Sequence, residues 1–94
     1  MATSTGVTVG SSSTLALAAN GARKRAILTN DSDEVIYLNL NGAAAEANKG
    51  IRLNASGGSV TIDNSDDNQT GYNNTTAIYA ICASGSKNLC VHEE

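Results

Sequence analysis

Apolar positions along the chain come in short bursts. Seven Ile/Val/Thr-rich runs of three to eight residues are separated by Gly/Asn/Ser/Asp clusters, the spacing of an all-β sandwich or barrel. No long helical periodicity competes with it. The predicted strands are Gly6–Val9, Thr14–Ala18, Arg25–Asn30, Val35–Leu40, Ser59–Asp63, Ala77–Ala83 and Asn88–His92, with Ile51–Leu53 as a short possible eighth. The expected fold is therefore all-β: one small antiparallel β-sandwich or barrel of about seven to eight strands, forming a single domain over residues 1–94 with a flexible N-terminal arm at about residues 1–5.

Two of these runs are apolar on both sides. In Val35–Leu40, Ile36, Leu38 and Leu40 share one face, and Val35, Tyr37 and Asn39 share the other; in Ala77–Ala83 the sets are Ile78/Ala80/Cys82 and Ala77/Tyr79/Ile81. Strands of this kind are either central strands under loops or strands covered by another subunit. Between the runs, Asn30-Asp-Ser-Asp-Glu34 joins two strands and Ser84-Gly-Ser-Lys87 closes a last hairpin. Ala43-Ala-Ala-Glu-Ala47 is too short to be helical without packing support and is expected to form at most a single turn over one end. Asn64–Thr76, dense in Asn, Asp and Thr, is the longest predicted loop.

Composition narrows the chemistry. The core must be built from small aliphatics, because there are 14 Ala, 18 Val, Ile and Leu, three Tyr and no Phe or Trp. Ser, Thr and Asn number 30, charged residues are only 16%, and the net charge is −3. Six Lys/Arg against nine Asp/Glu supply no general basic surface, which argues against a nucleic-acid partner. No apolar run approaches the ~18 residues of a membrane span, and the opening Met1-Ala-Thr-Ser-Thr-Gly6 has neither a basic nor an apolar leader region. The expectation is a protein with no membrane association, made inside a cell, whose two cysteines are thiols rather than a disulfide framework.

Few residue clusters suggest chemistry. Asp63-Asn-Ser-Asp-Asp-Asn-Gln-Thr-Gly71 is rich in oxygen ligands, but neither Asp63 nor Asp66 as a first position places both the Gly and the Glu that a calcium loop needs, so a solvated turn is the better account. Cys82, Cys90 and His92 share a parity over the last two predicted strands, and with a three-residue loop the two thiols would lie opposite each other. Three ligands without the two-residue cysteine spacing make a poor zinc site. The Cys90/His92 pair has no glycine-rich elbow or helix N-terminus beside it to activate the thiol. No catalytic, cofactor-binding or metal-ligating residue is therefore assigned. Arg23-Lys-Arg25 is the one basic cluster and opens a strand; its arginines are expected to pair with carboxylates of this chain or a partner, with the acidic turn Asp31–Glu34 across the same hairpin. The candidate interface residues are Thr3, Thr5, Val7 and Val9 of the N-terminal segment, together with Arg23 and Arg25.

An ordered pattern runs through Arg25-Ala-Ile-Leu-Thr-Asn30, Val35-Ile-Tyr-Leu-Asn-Leu-Asn-Gly42, Gly50-Ile-Arg-Leu53 with Gly57-Gly58, Thr76-Ala-Ile-Tyr-Ala-Ile-Cys-Ala-Ser-Gly85 and the closing Leu89-Cys-Val-His-Glu93. From about Arg23 to Glu93 it resembles the small β-sandwich virion proteins of tailed bacteriophages, in particular head decoration or cement proteins and small tail or neck components. The resemblance implies a non-enzymatic structural role in the virion after synthesis in the host cytoplasm. Its implied partner is the major capsid protein or another virion protein, and its implied state is a homo-oligomer, with trimers the family expectation. A tail, neck or fibre-base component and a carbohydrate-binding sandwich using Tyr37, Tyr72 or Tyr79 remain alternatives.

Overall fold

The computed structural model describes residues 2–21, 23–40, 42–63 and 76–94. Eight strands follow one another in the order β1 (Thr3–Val9), β2 (Thr14–Leu17), β3 (Arg25–Asn30), β4 (Ile36–Asn39), β5 (Ile51–Leu53), β6 (Ser59–Asp63), β7 (Ile78–Cys82) and β8 (Lys87–Glu93). They form two four-stranded antiparallel sheets, β1-β8-β3-β6 and β2-β7-β4-β5, packed face to face. The fold is thus a sandwich, the first of the two architectures expected. Among the described residues no helix is long and apolar enough to cross a membrane.

Alternation decides which residues go inside. In β3 the side chains of Ala26, Leu28 and Asn30 are buried while Arg25, Ile27 and Thr29 are half-buried, and β7 buries Ile78, Ala80 and Cys82 in the same rhythm. Between the sheets, Val9, Leu28, Ile36, Leu38, Leu53, Ile78, Leu89 and Val91 interdigitate around Ala16, Ala26 and Ala80. Alanine lets the two sheets approach closely, and the core has the small-aliphatic character that the composition requires.

Four local expectations need correction. The N-terminal arm is a strand from Thr3, with Thr3↔Glu93, Ser4↔His92 and Thr5↔Val91 in register; β8 supplies a backbone ladder that polar side chains do not advertise. The last two strands are not a hairpin, because β7 and β8 lie in opposite sheets. Gly85 (φ 85°) and Ser86 (φ 57°) turn the chain across the sandwich instead of back along it. The acidic turn lies at the far end of β3 from Arg23 and Arg25, where Asp33 pairs with Lys87 at 2.7 Å. The alanine run forms no helical turn; Ala45 is buried and its N–H donates to Ser13 Oγ at 2.8 Å.

Candidate functional site

The two expected interface arginines are engaged within the chain. Arg23 has a fully buried side chain whose Nε lies 2.9 Å from Glu93 Oε2. Its other nitrogens donate to the carbonyls of Thr76 (3.1 Å) and Ala18 (2.6 Å). The guanidinium thereby ties the β2–β3 connection, the start of β7 and the end of β8 together at one end of the sandwich. Arg25 is more exposed and reaches Glu94 Oε2 at 2.7 Å, beside backbone bonds between Arg25 and Glu94 in both directions. Arg23 is enclosed within the chain rather than set on its surface, unlike the exposed position expected of an interface arginine. The expectation that these arginines meet carboxylates holds, with carboxylates of their own chain as the partners.

Thr3, Thr5, Val7 and Val9 fall on one face of β1, the side turned toward the second sheet. Val9 is buried and Val7 half-buried, whereas Thr5 and Thr3 are exposed. Cover over β1 therefore runs out toward its N-terminal end.

The outer face of the first sheet carries a chain of hydrogen bonds. Ser4 Oγ and His92 Nδ1 are 2.8 Å apart, and His92 Nε2 and Glu94 Oε2 are 3.0 Å apart. Hydrogen bonds from Arg25, then from His92, hold the Glu94 carboxyl below its ordinary value. Serine, imidazole and carboxylate stand in triad order, but Arg25 already draws on the carboxylate and Ser4 lies within a regular strand. The arrangement clamps the first and last strands together. Cys90 shares this face, in a shallow trough with Ser4, Gly6, Ile27, Thr29 and His92. Both imidazole nitrogens have partners other than its thiol. Cys82 points into the core and its Sγ lies 3.4 Å from Val9 O. The two cysteines are free, one buried and one exposed, so the juxtaposition of both thiols with His92 expected of a hairpin does not occur.

The outer face of the second sheet is of a different kind. Cross-strand pairing sets Leu15, Tyr79 and Asn39 in one row and Ile81, Tyr37 and Arg52 in the next. Leu15 is 47% exposed, the one large hydrophobic side chain so exposed among the described residues, and Tyr37, Tyr79 and Ile81 are half-buried. Tyr37 Oη and Asn48 Oδ1 are 3.0 Å apart, with the phenol donating. Arg52 is the sole charge in the two rows. Tyr72 and residues 64–71 of the acidic loop lie outside the described residues.

Sequence reasoning missed Asn30. It is wholly buried; its Nδ2 donates to the carbonyls of Glu34 (2.6 Å) and Leu53 (3.1 Å), and its Oδ1 accepts from Ser32 Oγ at 2.6 Å. Its backbone bonds to Gly57 and Gly58 close the same end of the sandwich. Beside it, hydrogen bonds from the Ser84 hydroxyl and backbone N–H hold the Glu34 carboxyl below its usual range. An Asn at the head of an acidic turn reads as an ordinary turn former, so nothing local signals this role.

Compared with known proteins, the chain matches no family model, no curated protein and no solved structure.

Proposed function

We propose that this chain is a non-enzymatic structural subunit of a tailed-bacteriophage virion, a decoration or cement protein that binds the assembled head and stabilises it. The observation that carries the reading is the outer face of the β2-β7-β4-β5 sheet. A solvated face of an antiparallel sheet is normally polar, yet Leu15, Tyr79, Ile81 and Tyr37 lie side by side here. A contiguous apolar patch on so small a domain marks an interaction surface. The phage assignment itself comes from the resemblance between Arg23 and Glu93. In this reading the occupant of the face is the major capsid protein, and the sandwich bridges neighbouring capsomers.

The test is genetic and physical together. Heads assembled without this protein are expected to lose resistance to heat and osmotic shock and to regain it when the protein is added back. Unchanged resistance removes the decoration role, and labelling at one vertex or along the tail moves the protein to the neck or tail. Because Tyr37 and Tyr79 also share this face, a glycan array serves as a control; the proposal predicts no binding.

A further inference from the structure

Edge strands control how β proteins associate, because they present unpaired N–H and C=O groups. Among the described residues the sheets end in β1, β6, β2 and β5. Three of these edges are short or blunted. β2 has four residues and a register shift between Leu15 and Leu17, β5 has three residues with Arg52 at its centre, and β6 has five residues ending at Asp63. β1 has seven residues, Thr-Ser-Thr-Gly-Val-Thr-Val, with no charged side chain and no proline. One side of it pairs with β8 from Thr3↔Glu93 to Val9↔Lys87, and the other side is the edge of the sheet.

The order of residues in β1 selects the occupant of that edge. About Gly6 the strand is nearly palindromic: Thr5 mirrors Val7, Ser4 mirrors Thr8 and Thr3 mirrors Val9. In an antiparallel pair of two copies centred on Gly6, each β-branched residue meets a β-branched residue on the inward face, and each hydroxyl meets a hydroxyl on the outward face. Such cross-strand matches are favourable. Only a strand that complements itself can form an isologous contact, in which residue i meets j and j meets i. With no charge on β1, two copies approach without like-charge opposition along the ladder, although each chain carries −3 overall.

We propose that two copies of this chain associate through β1, antiparallel about a two-fold axis at Gly6, joining their β1-β8-β3-β6 sheets into one continuous sheet. The inference goes beyond the virion reading and does not depend on it: the purified protein alone tests it, and it sets a two-fold state against the three-fold one that the resemblance implies. It also gives Thr3, Thr5 and Val7 a neighbour along the strand edge.

Light scattering across a range of concentrations tests it. The expected result is a mass twice that of the 9.6 kDa chain that falls to the single-chain value on dilution. Thr5→Lys, which places a cation at an exposed position of the self-paired strand, is expected to stay monomeric with unchanged circular dichroism and thermal midpoint. Thr8→Lys serves the same purpose on the outward face should Thr5→Lys disturb folding. Thr61→Lys, on the opposite edge, is expected to remain dimeric. A single-chain mass at every concentration, a three-chain mass, a folded Thr5→Lys or Thr8→Lys variant that still dimerises, or loss of the dimer in Thr61→Lys would each overturn the proposal.

Discussion

Arg23 Nε sits 2.9 Å from Glu93 Oε2, and the guanidinium making that contact is fully buried while the carboxylate keeps 18% of its side-chain surface exposed. The asymmetry sets the consequence of breaking the pair. Removing Glu93 takes away the carboxylate at Nε of an enclosed cation whose other nitrogens stay bonded to the carbonyls of Thr76 and Ala18. Losing one partner of a buried pair costs about 3–5 kcal/mol, and the partial exposure of Glu93 places Glu93→Ala near the lower end. Arg23→Met, which removes the charge and keeps much of the volume, is expected to cost less. Urea unfolding measures both, with Lys49→Ala at the exposed Glu46–Lys49 pair as a control expected to change nothing measurable.

Stability is expected to fall in acid. Partial burial pushes the Glu93 carboxyl up, but the Arg23 and Asn20 hydrogen bonds and the Arg23 charge together outweigh it and hold it below 4.5. The hydrogen bond and charge of Lys87 hold Asp33 below 3.8, and Glu34 and Glu94 are likewise lowered. A depressed folded-state value means stability that is present above the unfolded value and lost as pH falls through the folded one. Thermal midpoints should therefore drop progressively below the ordinary 4.5 of a glutamate. Lys87 has the opposite sign, because its bond to Asp33 raises it above 10.5 and its contribution is lost only as pH rises through that raised value. Glu93→Gln should flatten the acid limb; an unaltered limb would remove Glu93 as a contributor.

Asn30 is expected to be the least replaceable polar residue at its end of the sandwich. Asn30→Ala leaves the carbonyls of Glu34 and Leu53 without the donor that now satisfies them, at a cost of about 1–3 kcal/mol. Asn30→Asp is worse, because it turns an anion toward those same carbonyls. Chemical denaturation of the two variants checks the order.

The thiols should differ in reactivity. A thiol reagent is expected to label Cys90 in the folded protein and Cys82 only on unfolding, since the first is exposed and the second buried. Two thiols labelled at the same rate under native conditions would contradict the burial of Cys82 between the sheets.

Strand positions were largely legible in the sequence because alternation and turn residues are local. Arg25–Asn30 and Ser59–Asp63 have the expected bounds, and β4 is shorter than expected only by Val35 and Leu40. Pairing across the sandwich was not legible. A chain that reverses at Gly85 reads the same whether it returns beside β7 or crosses to the other sheet. The same limit hid the burial of Arg23, whose partners Thr76 and Glu93 lie 53 and 70 residues away, so nothing beside it in the sequence marks an enclosed cation. At the N-terminus, Thr3-Ser-Thr5 lacks the apolar alternation that marks a strand; its order comes from the ladder to β8. The doubly apolar character of β4 and β7 was readable, and the structure resolves it into one buried face and one outer face.

Docking of this sandwich on an assembled head is proposed to run through the outer face of the β2-β7-β4-β5 sheet. The most direct measurement is cryo-electron microscopy of heads lacking the protein after mixing with the purified chain and with a Leu15→Asp/Tyr79→Asp variant. Saturable density at regular sites on the shell is expected for the first and empty sites for the folded variant. A shell that stays bare with the unaltered protein would contradict the proposal.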